Sequence, residues 1–296
     1  IAKACLRESY FAVSYVHRID AYGFERPEGF DYTFYEDFHS RYLVVLTRRA
    51  IKWSKLLQTS AAVEKSMKVK RYIRKGIPNE HRCHVWMLIS GAQARLEKNP
   101  GYYHNVLVEG KKNAKLVDAV ITDLNRTFPD NVKFRKDSSQ CLQPMLHNVL
   151  VAYGHHNSSV GYCQGMNFVT GYLILVTKDE EKAFWLLDAL LGHILPDYYS
   201  SAMTGLKVDQ EVLGDFVKLK IPAVADLMEK LGVMWTLVVS RWFICLFIDI
   251  LPVETVLRIW DCLFYEGSKI IFSSSLNTNK TVPSFHIGRP KLSRCV

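Results

Sequence analysis

Negative charge is the scarce kind in this chain: 29 Asp and Glu stand against 38 Lys and Arg, a formal +9 over 296 residues. Such a deficit favours an acidic or phosphate-bearing partner without naming one. Cysteine is sparse too. The seven thiols, Cys5, Cys83, Cys141, Cys163, Cys245, Cys262 and Cys295, are odd in number and never form C-x-x-C. Neither a disulfide framework nor a zinc site is suggested, and a reducing compartment fits best. The phosphate-cradling patterns G-x-x-x-x-G-K-[ST] and G-x-G-x-x-G are missing, so the chain does not read as a nucleotidase or kinase acting alone. H-E-x-x-H and G-x-S-x-G are missing as well, and His81 with His84 and the pair His155-His156 lack companion ligands at metal spacing, so no metal is expected. Zinc-finger and RNA-binding aromatic signatures do not accompany the basic charge, which argues against nucleic acid.

Long hydrophobic runs are also lacking. Residues 1–17 include Lys3, Arg7 and Glu8 and offer no uninterrupted signal-peptide core. The chain opens on Ile1, as expected of a fragment. The longest apolar stretch, 231–252, carries Arg241 and Asp249, charges that are costly in a bilayer, and reads as buried helix. A cytoplasmic place follows, with peripheral attachment to intracellular membranes as a secondary reading.

What is present is ordinary globular composition, 49% hydrophobic and 23% charged. Residues 1–40 read as a partly irregular lead segment punctuated by Gly23, Pro27 and Gly29. Residues 41–75 hold eleven Lys and Arg against Glu64, with Leu43, Leu46, Ala50, Trp53 and Leu57 at helical spacing. A basic amphipathic helix and linker follow, read first as a core-packed helix with a solvated cationic face, and second as a weak contact with anionic membranes. Residues 76–272 are a succession of apolar helical patterns broken by Gly76-Ile77-Pro78, Asn99-Pro100-Gly101, Phe128-Pro129 and similar turns. The prediction is an all-α domain of many short helices with no sheet. Residues 273–296 turn to Ser, Asn and Thr and read as a disordered polar tail.

Two polar residues stand apart. On a helix over 116–128, Val117, Val120, Ile121, Leu124 and Phe128 share one arc, and Arg126 lies opposite, near an end marked by Pro129. Asp123 could hold that arginine by an i,i+3 ion pair, although an ordinary exposed helix pair has the same pattern. Gln164 lies in Gly161-Tyr162-Cys163-Gln164-Gly165-Met166-Asn167, where loop passes into the apolar run 168–176. Its carboxamide can hold a water while touching a phosphate oxygen, or it can cap its own helix.

Four ordered blocks carry a family likeness: Arg82-Cys83-His84-Val85-Trp86, Asp123-Leu124-Asn125-Arg126-Thr127-Phe128-Pro129, Tyr162-Cys163-Gln164-Gly165-Met166-Asn167 and Leu257-Arg258-Ile259-Trp260-Asp261. Together they resemble the TBC domain of Rab GTPase-activating proteins. The resemblance implies a Rab GTPase as partner and hydrolysis stimulated by two fingers, an arginine that maps to Arg126 and a glutamine that maps to Gln164. Asp123 would orient Arg126, with Tyr162, Gly165 and Asn167 as supporting members of the site. Arg82, Trp86, Arg258, Trp260 and Asp261 are read as architecture, with Arg258 and Asp261 expected in a satisfied ion pair. No cofactor of the chain's own is implied, since GTP and Mg²⁺ are held by the partner, and no turnover occurs without it. Family domains generally continue past Phe272 with further helices. Their expected loss here motivates the alternative of a non-catalytic Rab-binding or scaffold form.

Overall fold

Short apolar patterns ending at Pro and Gly should stack as helices, and the computed structural model, which describes residues 18–59 and 63–281, is built that way. In chain order the helices are α1 (Tyr32–Thr59), α2 (Met67–Lys75), α3 (Asn79–Ile89), α4 (Ala92–Lys98), α5 (Tyr102–Gly110), α6 (Ala114–Leu124), α7 (Gln143–His156), α8 (Met166–Thr177), α9 (Glu180–Asp188), α10 (Thr204–Lys220), α11 (Pro222–Lys230), α12 (Trp235–Ile244), α13 (Val253–Glu266) and α14 (Lys269–Thr281). A 3-10 turn, Val132–Phe134, and a π-helical turn, Ala189–Ile194, interrupt them. Among the described residues there is no strand, only isolated bridges between Ile19 and Glu25 and between Phe24 and Asn131. The all-α expectation therefore holds.

Local chemistry starts several of these helices. The Ser66 hydroxyl accepts from Val69 N at 3.2 Å ahead of α2, and the Asn113 carboxamide accepts from Leu116 N at 3.1 Å ahead of α6. Asp179 caps α9 through Lys182 N at 2.9 Å, with Glu180 and Glu181 in the first turn, where free N–H groups favour negative charge. Helix α8 is the axis of the core: every residue from Met166 to Leu175 is buried, with α7 and α9 packed against it. A helix apolar on all sides belongs at the centre of a domain.

One buried carboxylate ties the two ends of the described chain together. Asp261 on α13 accepts from Arg82 Nε at 3.1 Å, Trp86 Nε1 at 2.9 Å and the backbone N–H of Ile77 at 3.0 Å. Trp86 and Trp260 pack at a centroid separation of 6.1 Å, and Trp260 donates to the carbonyl of Leu246 at 3.2 Å. The partner of Asp261 is thus Arg82, from the first motif block. Arg258 donates instead to the carbonyl of Arg74 at 2.9 Å, which corrects the expected Arg258–Asp261 pair.

Three further expectations are revised. The arc on α6 is rotated, with Leu116, Val120 and Asp123 inward and Ile121 exposed. The stretch 231–252 is not one buried helix: Leu231, Met234 and Leu237 are exposed, and burial begins with Val239, Trp242 and Phe243. Helix α14 runs to Thr281, into the stretch expected to be a disordered tail, whose remainder lies outside the described residues. Residues 1–17 of the lead segment also lie outside them. No helix of the described residues is long and apolar enough to cross a membrane.

Candidate functional site

Helix α6 stops at Leu124, so Arg126 sits in the turn beyond it rather than on the helix. The turn is made by its own side chains. Thr127 Oγ1 donates to the Asp123 carbonyl at 2.7 Å, which satisfies one of the carbonyls a helix leaves unpaired at its end. Phe128 follows in the left-handed region at φ 52°, a costly conformation for a residue with a Cβ. Aromatic packing holds it there, with ring centroids of Phe24, Phe134, Phe168 and Tyr172 at 5.3, 5.3, 5.4 and 5.5 Å. Gly171 on α8 makes room for this ring, because a Cβ at that position would meet Phe128 Cε2 at 2.6 Å.

Within that turn the Arg126 guanidinium is 41% exposed and ion-paired with Asp123, whose carboxylate is only 4% exposed. The other oxygen of Asp123 accepts from the Tyr162 hydroxyl at 2.5 Å. Burial, followed by that hydrogen bond to a carboxylate, holds the Tyr162 phenol well above its ordinary value, so it stays a donor. Burial likewise pushes the Cys163 thiol up.

Gln164 lies on the loop that enters α8. Its side chain is exposed and caps nothing: the N-terminus of the helix is handled by Asn167, whose Oδ1 accepts from Gly165 N at 3.0 Å. Gly165 has φ 106°, and a Cβ there would meet Ile244 Cγ2 at 2.5 Å, so only glycine lets the loop lie against the end of α12. Asn167 is fully buried, and its amide donates to Thr127 Oγ1 at 2.8 Å.

Two bridges, Tyr162 to Asp123 and Asn167 to Thr127, therefore bind the Gln164 loop to the Arg126 turn. Of the residues expected to support the site, Asp123, Tyr162, Gly165 and Asn167 all belong to this connection. Arg82, Trp86, Trp260 and Asp261 belong to the buried hub, and Arg258 fastens α13 to the end of α2. The sequence pattern does not show that Thr127 joins both segments, or that Phe128 fixes the turn in the left-handed region.

A stack of many short helices with no strand among the described residues is the fold of a Rab-GTPase-TBC domain. The model of that family matches residues 79–280, and the chain belongs to it. Among individual proteins it is similar to growth hormone-regulated TBC protein 1 of Xenopus tropicalis, at 75% identity over 90% of this chain and 78% of that protein. The human protein of the same name is 69% identical over 90% of this chain and 79% of its own length. Among solved structures, the TBC domain of a Chlamydomonas flagellar RabGAP superposes with a TM-score of 0.78 at 31% identity, covering 89% of this chain and 87% of that one.

Proposed function

We propose that this Rab GTPase-activating domain works by delivering Arg126 and Gln164 together into the nucleotide site of a Rab. In the transition state of GTP hydrolysis, charge spreads over the γ-phosphoryl oxygens and the bridging oxygen. A guanidinium brought into a desolvated site stabilises that charge bidentately, which the point charge of a lysine does not. The Gln164 carboxamide orients the attacking water with its acceptor and touches the phosphoryl group with its donor. Nucleotide and Mg²⁺ belong to the partner, and the chain supplies the two side chains. Asp123 acts by orientation: its buried carboxylate, fixed by Tyr162, holds Arg126 in one rotamer until the phosphate competes for it.

The observation that carries this reading is the pair of bridges that ties two exposed polar residues from separate segments to one support. Single-turnover GTP hydrolysis on a panel of Rab proteins tests it, with Arg126→Ala and Gln164→Ala beside the unaltered chain. Loss of stimulation in both variants, with Rab binding retained, is the expected result. Stimulation surviving both substitutions removes the two fingers. Binding with no stimulation by the unaltered chain assigns it the non-catalytic Rab-binding role.

A further inference from the structure

We propose that the cleft between α1 and α2 binds the phosphorylated headgroup of an anionic lipid and seats this face of the domain on a membrane. The cleft has a volume of about 350 Å³; Arg48, Arg49, Lys52 and Lys75 line it, and Trp53 and Tyr72 form its walls. No carboxylate lines it. Among the described residues, Arg48, Lys52 and Lys75 make no ion pair, and Arg49 donates to the hydroxyl of Tyr42 at 3.0 Å. The contrast on the same helix is informative. Lys70 and Arg74 of α2 are both neutralised by Glu266, at 3.2 and 2.6 Å. Lys70 and Arg74 share a carboxylate, whereas the four cations around the cleft are gathered without one. Gathering like charges is unfavourable, and several phosphate oxygens in a space of this size would compensate all four.

The surroundings decide between a lipid and a free phosphate compound. Val44 and Ile51 are about half exposed on the solvent side of α1, spaced i and i+7 with Arg48 between them. Leu43 and Val45 are exposed beside them, and Met67, at the start of α2, is 75% exposed. A soluble anion has no use for this aliphatic rim. A bilayer does, because a helix presenting aliphatic and basic residues on one side lies in the interface with its aliphatics among acyl chains and its cations at the headgroups. The site uses neither Arg126 nor Gln164, so it stands independently of the finger mechanism.

The test is sedimentation of the full chain with phosphatidylcholine vesicles, either plain, or containing phosphatidylinositol 4,5-bisphosphate, or containing phosphatidylserine at matched charge. Retention is expected on the bisphosphate vesicles above the other two, with release at high salt. Each basic residue near an anionic surface contributes about a fivefold factor, so Arg48→Ala with Lys52→Ala should weaken retention about thirty-fold while thermal melting stays unchanged. Val44→Ser with Ile51→Ser should weaken vesicle retention and leave binding of soluble inositol trisphosphate as it was. The proposal is overturned if plain vesicles retain the chain equally, or if the Arg48/Lys52 variant binds like the parent. Tight binding of soluble inositol trisphosphate without vesicle retention would make the cleft a site for a free phosphate compound. Loss of Rab stimulation in solution by the Arg48/Lys52 variant would assign the cleft to an acidic protein surface instead.

Discussion

Two arginines paired to buried aspartates, Arg82 and Arg126, have opposite consequences. In the hub, Arg82 is 3% exposed and Asp261 is sealed, every polar atom facing a neighbour fixed by packing. At the end of α6, Asp123 is nearly as buried, while Arg126 in the turn beyond reaches solvent at 41% exposure. Burial pushes the Asp261 carboxyl up although the Arg82 guanidinium opposes it, the mark of an ion pair whose desolvation is incompletely offset. One pair is a fastening and the other is a handle. The difference lies in access for the arginine rather than in the chemistry of either residue, and a motif that prints Arg and Asp at both places does not contain it.

The widest separation between the two should come from truncating both arginines. Arg126→Ala is expected to lower stimulated GTP hydrolysis by about 10³ to 10⁵, which corresponds to about 4 to 7 kcal/mol of barrier, as measured in single-turnover assays. Arg126→Lys should recover little of it. Arg82→Ala strands the Asp261 carboxylate and should cost about 3 to 5 kcal/mol of stability, read from urea denaturation. A domain holds only about 5 to 15 kcal/mol, so that variant should be largely lost to aggregation or degradation. If instead Arg82→Ala folds normally and loses only activity, the hub and the site are not distinct.

A milder change tests the support rather than the fingers. Tyr162→Phe removes a hydrogen bond to a carboxylate and should cost about 1.5 to 3 kcal/mol of stability. It should also lower stimulation, because Asp123 is then free to rotate with Arg126. Its pH dependence follows from the raised phenol. A group held protonated in the folded state contributes stability that is fully present below the unfolded phenol value of about 10 and is lost as pH rises beyond it. The melting temperature of the parent, relative to Tyr162→Phe, should therefore be flat through neutral pH and converge with it only above about pH 10. Convergence below neutrality would show that the hydroxyl is not the donor.

How much of this was legible in the sequence depended on how far apart the partners lie. The helical class followed from periodicity, and the four blocks marked both the turn and the loop. The exact end of α6 did not follow, because Pro129 drew attention as the breaker while the true stop is Thr127 folding its hydroxyl back to the Asp123 carbonyl. An apolar wheel does not give the inward face of α6, because it counts Ile121 and ignores Asp123, which is buried against Tyr162, 39 residues away. Proximity in sequence points Asp261 to Arg258, whereas its partner Arg82 is 179 residues distant in the chain. Local spacing reveals helices. It does not reveal which distant group a buried charge will meet.

The finest discrimination between handle and fastening comes from the stability of the Arg126→Ala variant. Because its guanidinium is 41% exposed, the pair with Asp123 gains little over hydration, and side-chain ordering opposes what it gains. Asp123 keeps the Tyr162 hydroxyl as a partner when Arg126 is removed. Arg126→Ala should therefore unfold within about 1 kcal/mol of the parent in urea, the smallest stability change of the series. The variant with the largest loss of activity would then be nearly indistinguishable from the parent as a folded protein. A shift of the size expected for Arg82→Ala would instead mean that Arg126 is part of the fold, and the same measurement would remove it from the candidate site.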